Sequence, residues 1–209
     1  MPTGRWSARD VALVAVFAGL TAALGLVPAI YLPVSPVPVT AQTLAVLLSG
    51  AVLGARRAVA AQVLFMALVA IGLPLLSGGR GGLAVFVGPT VGFFLAFPLV
   101  AGVVGWLTYR VGAPYRVWWG AVTLVIGTLL VYVVGVPGLM VVTGLGLPQA
   151  VIGGAVPFLI GDAVKCVIAV GVAKGVHAGY PGLLPARGVP AASDGAMRRS
   201  TPAASGSGR

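Results

Sequence analysis

The chain has 209 residues, of which 59% are apolar and only 8% charged, and its formal net charge at pH 7 is +10. Typical soluble domains carry roughly 25% charged residues, so this composition excludes an ordinary soluble domain and predicts a polytopic membrane protein. The basic excess does not indicate a nucleic-acid partner, because the lysines and arginines stand between apolar blocks. One cysteine and one histidine cannot form a metal cage, and an intramolecular disulfide is impossible.

Six apolar segments follow one another along the chain, each close to the roughly 20 residues needed to cross the hydrocarbon core of a membrane. Because lipid offers no hydrogen bonds to the backbone, each segment is expected to be a helix. The sequence therefore predicts an all-α fold with six transmembrane helices. The segments are residues 11–30, 39–54, 58–76, 83–108, 117–136 and 149–173.

The connection between the first two segments reads YLPVSPVPVT, residues 31–40, and contains Pro33, Pro36 and Pro38. Proline lacks a backbone donor and disfavours helical geometry in the residue before it. This spacing therefore predicts an extended or looped segment.

The positions of the basic residues predict the topology. Six crossings place nearly all of them on one side, which the positive-inside rule makes the cytoplasm, with both termini inside. Arg80 is the lone basic residue on the outer side. The residues assigned to the inner side are Arg5, Arg9, Arg56, Arg57, Arg110, Arg116, Lys174, Arg187, Arg198, Arg199 and Arg209.

Three regions follow from this topology. Residues 1–10 form a cytoplasmic N-terminal segment, and residues 11–177 form the six-helix membrane domain. The last stretch, residues 178–209, is rich in Gly, Pro, Ala and Ser and cannot bury a core, so it predicts a disordered cytoplasmic tail.

The sixth segment includes VPFLIGDAVKCVIAV, residues 156–170, which contains Asp162 and Lys165. A charge at the centre of a membrane helix costs about 2.5–3.5 kcal/mol on insertion scales. The i, i+3 spacing puts both groups on one helix face, where they can partly neutralise each other. They form either a structural ion pair that fixes helix packing or the polar floor of a ligand pocket.

Arg80 stands among glycines in SGGRGG. It is either a solvated loop charge or a guanidinium that captures an anion, most naturally a carboxylate. The glycines allow the loop to move or to approach a ligand closely.

Neutral polar and aromatic residues near the membrane boundary complete a candidate pocket. Thr40, Gln42 and Thr43 open the second segment, and Thr90 and Phe93 lie in GPTVGFF of the fourth. The threonines could instead bond to nearby backbone carbonyls, and the phenylalanine could simply pack. Gln42 is harder to explain in that way, because its amide has two donors and an acceptor to satisfy.

The first segment carries small residues four positions apart, Ala18 and Ala22. Such spacing lets another helix approach closely, either within the chain or from a partner.

Two enzymatic functions are disfavoured. The chain has no G-x-x-x-x-G-K-[ST] motif, so it is not expected to hydrolyse ATP itself. A membrane-embedded enzyme acting on a lipid, with Asp162 as acid or base, would need a second catalytic group that the sequence hardly offers. The sequence thus predicts a protein that is not an enzyme.

Three stretches, taken together, resemble the BioY family, the biotin-binding substrate subunits (S components) of energy-coupling-factor (ECF) transporters. They are VPVTAQTLAVLLSGAVLG at 37–54, IGLPLLSGGRGGLAVFVGPTVGFFLAF at 71–97 and VPFLIGDAVKC at 156–166. The resemblance implies a multi-pass protein of the cytoplasmic membrane, a biotin pocket near its outer face, and no cofactor. It also implies partnership with a transmembrane coupling subunit and two ATPase subunits. A substrate subunit for a different vitamin remains an alternative.

The chemistry of biotin suits these residues. Asp162 can accept hydrogen bonds from the ureido N–H groups, Lys165 can donate to the ureido oxygen, and Arg80 can pair with the carboxylate. Ala18 and Ala22 resemble the motif by which such subunits dock on the coupling subunit. The remaining expected substrate-binding residues are Thr40, Gln42, Thr43, Thr90 and Phe93.

Overall fold

The computed structural model describes residues 6–185, so expectations for residues 1–5 and 186–209 lie outside it. In the described part the regular structure is helical, which confirms the predicted all-α class. Short 3₁₀ helices cover Leu83–Val87, Val156–Phe158 and Pro181–Leu183. The α-helices are α1 (Ala8–Gly25), α2 (Gln42–Leu53), α3 (Ala55–Ala70), α4 (Val91–Val111), α5 (Val117–Thr143), α6 (Leu147–Gly154) and α7 (Leu159–Gly179).

Four helical segments are long and apolar enough to cross a membrane, which supports a membrane-embedded, multi-pass protein. They are Ala8–Gly25, Val91–Val111, Val117–Thr143 and the interrupted segment Leu147–Gly179. The apolar α2 has only 12 residues. Each of the six predicted apolar segments contains helix, whereas the number of crossings and the orientation stay predictions.

Two predicted segments are interrupted where proline stands. The fourth starts as a 3₁₀ helix, and α4 begins only at Val91, after Gly88 and Pro89. The sixth divides at Pro157 into α6 and α7, because proline cannot supply the N–H that a continuous helix needs. This second break puts Asp162 in the first turn of α7, where the helix dipole favours a carboxylate.

The proline-rich connection is non-helical, as predicted. After α1 ends at Gly25, the chain doubles back through an isolated antiparallel bridge. The N–H of Ile30 donates to the carbonyl of Val39 at 3.0 Å, and the N–H of Val39 returns a bond at 2.9 Å. The connection therefore has a defined shape at the mouth of the bundle.

Contacts at both ends of the described chain tie residues outside 11–177 to the helices. Ser7 caps α1 in a capping box with Asp10, so the helix begins at Ala8. After α7, residues 180–185 fold back on the bundle: Leu184 is buried, and the N–H of Ala113 donates to the carbonyl of Pro185 at 2.9 Å. A buried leucine and a backbone bond thus hold residues 180–185 against the bundle, while the predicted tail as a whole stays a prediction.

Close approach of glycines sets the packing of α4 on α5. A Cβ added at Gly138 would lie 2.5 Å from the Cα of Gly92, so the two backbones touch without side chains between them. Small residues of this kind provide the close contacts by which membrane helices associate. The contact holds the start of α4, with Thr90 and Phe93, against α5.

Replacing Gly138 with alanine should therefore destabilise the bundle by about 1–3 kcal/mol, because the added methyl overpacks a backbone contact. The apparent melting temperature of the purified protein in detergent measures the loss. Gly171→Ala is the matched control, since Gly171 is also helical and nothing lies within 4 Å of an added Cβ. Equal melting temperatures for the two variants would contradict this account of the packing.

Candidate ligand-binding site

A cavity opens between the proline-rich connection, the loop before α4, and helices α2, α4, α5 and α7. All eight residues that the sequence indicated as substrate-binding line it: Thr40, Gln42, Thr43, Arg80, Thr90, Phe93, Asp162 and Lys165. Apolar side chains form the rest of the wall, namely Val37, Pro38, Leu76, Phe94, Phe97, Val131 and Phe158. Tyr132 is the one further polar residue in this lining.

The two intramembrane charges form a direct ion pair at the cavity wall. Lys165 Nζ lies 2.8 Å from Asp162 Oδ1 and donates a second bond to Thr43 Oγ1 at 3.0 Å. Their side chains are only 13% and 11% exposed. The pair therefore faces the cavity and joins α7 to α2.

Tyr132 of α5 is a residue that sequence reasoning missed. Its hydroxyl donates a short hydrogen bond to Asp162 Oδ2, so each carboxylate oxygen accepts a bond from a different element of the site. A tyrosine inside an apolar helix is itself a signal, because a buried phenol hydroxyl needs a partner. The partner lies 30 positions away in sequence, so the pattern alone did not identify it.

Arg80 is half-buried and turned toward the cavity. Its Nε donates to the carbonyl of Ser77 at 3.2 Å, and its Nη1 donates to Thr90 Oγ1 at 3.3 Å. Within residues 6–185 it has no acidic partner. Its positive charge is thus positioned by neutral groups and remains open to an anion.

The loop that carries Arg80 depends on glycine. Gly78, Gly79 and Gly82 have φ angles of 79°, 68° and 79°, in the region that other residues rarely adopt. A backbone bridge between Leu76 and Arg80 closes the turn. The guanidinium is consequently held on a compact turn at the cavity mouth.

Gln42 lines the cavity, but its amide bonds to the protein itself. Nε2 donates to the carbonyls of Thr21 and Leu75, both at 3.1 Å, and Oε1 accepts from the N–H and hydroxyl of Ser77 at 3.3 and 3.4 Å. The residue is 2% exposed. These contacts support a role in holding the Arg80 loop against α1 and α2, while direct contact with a ligand stays a prediction.

The other expected residues have defined positions. Thr43 accepts from Lys165 and Thr90 accepts from Arg80, so both orient a charge. Thr40 is half-buried on the wall. Phe93 lies against Gly135, where an added Cβ would be 2.3 Å from the ring.

The two alanines proposed for partner docking lie on α1, outside the cavity lining. Ala18 is 2% exposed and belongs to the chain's own core, and Ala22 is half-buried against the same core. Ala18 thus packs inward in this conformation, and its role in docking stays a prediction. The small residues that α1 does expose are Ala8, Ala12, Ala15, Gly19 and Ala23.

This arrangement can bind a particular kind of molecule. The ion pair offers both acceptors and donors, Arg80 offers a cation, and aromatic and aliphatic walls suit an apolar body. A small anion with a neutral hydrogen-bonding group and an apolar middle fits this chemistry.

Comparison with known proteins agrees with the fold. The structure of the S-component for biotin from an ECF-type ABC transporter matches with a TM-score of 0.77 at 25% identity, over 81% of this chain and 91% of that chain. The fold and cavity thus define a multi-pass membrane protein of the S-component class. Two relatives named biotin transporter BioY come from Rhizobium etli, 44% identical over 87% of this chain and 99% of the relative, and from Rhodobacter capsulatus, 42% identical over 86% and 99%. The model of the BioY family matches residues 1–182, and the chain belongs to that family.

Proposed function

We propose that this protein binds biotin with high affinity and is the substrate-specific subunit of an ECF transporter that imports the vitamin across the cytoplasmic membrane. The observation that carries the proposal is the buried Asp162–Lys165 pair, which shares one cavity with Arg80, a cation that has no acidic partner within residues 6–185. The names of the relatives support the same ligand.

The free hydrogen-bonding capacity of the pair suits the ureido ring. An ammonium has three N–H donors, and Lys165 uses two of them on Asp162 and Thr43, leaving one for the ureido oxygen. Each oxygen of Asp162 accepts one internal bond and keeps a lone pair for a ureido N–H. Arg80 then takes the carboxylate, and the apolar walls enclose the thioether ring.

The proposal also covers the partner subunits of the transporter and the orientation of this chain in the membrane. A transmembrane coupling subunit and two ATPase subunits would supply the energy, with both termini of this chain in the cytoplasm. Docking would use the exposed small residues of α1, because they allow a close approach between helices.

Two alternatives are less well supported. A different vitamin would need its own hydrogen-bonding group to match the ion pair and would leave those buried groups unpaired if it lacked one. A lipid-modifying enzyme would need Asp162 as an acid or base, but that carboxylate is bonded to Tyr132 and Lys165.

The decisive experiment is purification from cells grown with biotin, followed by mass spectrometry of the released ligand. We expect biotin in near-stoichiometric amount, together with the partner subunits when these are co-expressed. Growth of a biotin auxotroph on trace biotin gives an independent readout. Release of another vitamin would refute the assignment. So would failure of the auxotroph to grow on trace biotin when the partner subunits are co-expressed and bound.

Removing the hydroxyl of Tyr132 tests its part in the site. Tyr132→Phe should weaken biotin binding about tenfold, because a hydrogen bond to a charged group contributes about 1.5–3 kcal/mol and part of it is recovered by solvent or ligand. Titration calorimetry of the purified protein measures the change. Tyr31→Phe is the control, since Tyr31 is exposed outside the cavity lining. Unchanged affinity in Tyr132→Phe would remove this residue from the site.

A further inference from the structure

The end of the bundle remote from Arg80 holds a second pocket of about 790 Å³, within the roughly 300–1,000 Å³ usual for small-molecule sites. It forms where the start of α1, the α2–α3 turn, the end of α4 and the residues after α7 meet. It shares no lining residue with the ligand cavity. Its polar and aromatic lining consists of Trp6, Arg9, Asp10, Arg56, Arg57, Tyr109 and Tyr180.

Three arginines and one aspartate give this lining an excess of positive charge. Asp10 is already satisfied: Arg57 Nε lies 2.6 Å from its Oδ1, and the N–H and hydroxyl of Ser7 both donate to Oδ2 at 2.9 Å. The Arg9 side chain makes no hydrogen bond or ion pair with any residue in 6–185. The pocket therefore presents guanidinium charge that its own acid does not neutralise.

Aromatic residues place the same end at a membrane surface. The four tryptophans of the chain all lie there: Trp6 precedes α1, Trp106 is near the end of α4, and Trp118 and Trp119 open α5. Trp6, Trp106 and Trp118 are 43%, 52% and 61% exposed. Tryptophan is enriched at the level of lipid headgroups, where its ring is partly apolar and partly hydrated.

Arginines stack on these rings. The guanidinium carbon of Arg56 lies 4.6 Å from the centre of the Trp6 ring, and that of Arg110 lies 4.9 Å from the Trp106 ring. Each guanidinium therefore lies at the same level along the membrane normal as an exposed tryptophan ring. Only the Arg56–Trp6 pair belongs to the pocket.

We propose that this pocket binds the phosphate headgroup of an anionic phospholipid. Arginine recognises phosphate with several parallel N–H donors, and basic pockets between membrane helices bind acidic headgroups. Trp6 and Tyr180 supply the amphipathic wall that the glycerol region of a lipid contacts. An acidic protein segment would match the charge equally well, but the exposed tryptophans favour lipid.

The test is native mass spectrometry of the full-length protein with phosphatidylglycerol or phosphatidylcholine of the same acyl composition. We expect retention of phosphatidylglycerol over phosphatidylcholine. Arg9→Gln and Arg56→Gln should each lower the bound phosphatidylglycerol about fivefold, since one basic residue near an acidic surface contributes about that much. Arg110→Gln is the matched control, because it removes the same charge at the same end outside the pocket, and it should change binding less than twofold.

Each outcome decides the proposal. Equal losses in Arg110→Gln would show diffuse charge attraction, and displacement by glycerol phosphate at the concentration of the lipid would show a free-phosphate site; both overturn it. So does a loss of coupling-subunit binding in the Arg9 and Arg56 variants with lipid retention intact, which would make the pocket a protein contact. Unchanged biotin binding and melting temperature in these variants establish that the protein is folded.

Discussion

Replacing Asp162 with asparagine should lower the affinity for biotin at least about a hundredfold. The substitution removes the charged acceptor for the ureido N–H groups, and each hydrogen bond to a charged group contributes about 1.5–3 kcal/mol. It also replaces two acceptor oxygens by one acceptor and one donor group, which would point at a ureido N–H. Titration calorimetry on purified protein, checked as a single species by size-exclusion chromatography, measures the loss.

The matched variants are Lys165→Met and Cys166→Ala. The first removes the donor for the ureido oxygen and leaves Asp162 unpaired, so its loss should be similar. Cys166 lies on the same helix but outside the ligand cavity, so its variant should stay within about twofold of the wild-type affinity. Near-normal binding in both Asp162→Asn and Lys165→Met would end the assignment of these roles.

The second large effect is expected at Arg80. Arg80→Gln should weaken biotin binding by about 10- to 100-fold, because a charge-assisted hydrogen bond contributes about 1.5–3 kcal/mol. The same variant should bind biotin amide as the wild type does, since that ligand has no carboxylate. Arg80→Lys should be intermediate, because it keeps the charge without the planar pair of donors.

Comparing the two ligands separates ligand recognition from loop damage. If Arg80 only holds the loop through Ser77 and Thr90, its loss should weaken biotin and biotin amide equally. Arg110→Gln provides the control for a lost positive charge far from the cavity. Equal weakening for both ligands would contradict a contact with the carboxylate.

The charged residues that line the cavity could be identified from the sequence because charge is conspicuous in an apolar chain. Asp162, Lys165 and Arg80 stand out from their apolar neighbours. They lie within the sequence motifs by which the chain resembles one family. The helical class followed from the need to satisfy backbone groups in lipid. The prolines of residues 31–40 likewise predicted the non-helical connection.

Other features depend on contacts between distant residues. The bond from Tyr132 to Asp162 and the four contacts of Gln42 join elements that no short motif connects. The spacing of small residues could not show that Ala18 faces the core of the bundle, because α1 carries small residues on several of its faces. Pro157 indicated a point where the helix of the sixth segment could be disturbed. The structure shows that the helix divides there into α6 and α7.

The contacts of Gln42 have a mechanical consequence. A single amide group connects Thr21 on α1 with Leu75 and Ser77 beside Arg80. If the proposed coupling subunit displaces α1, the Arg80 turn has to move with the helix or these hydrogen bonds have to break together. In both cases a displacement of α1 would change the entrance of the cavity directly, through one side chain.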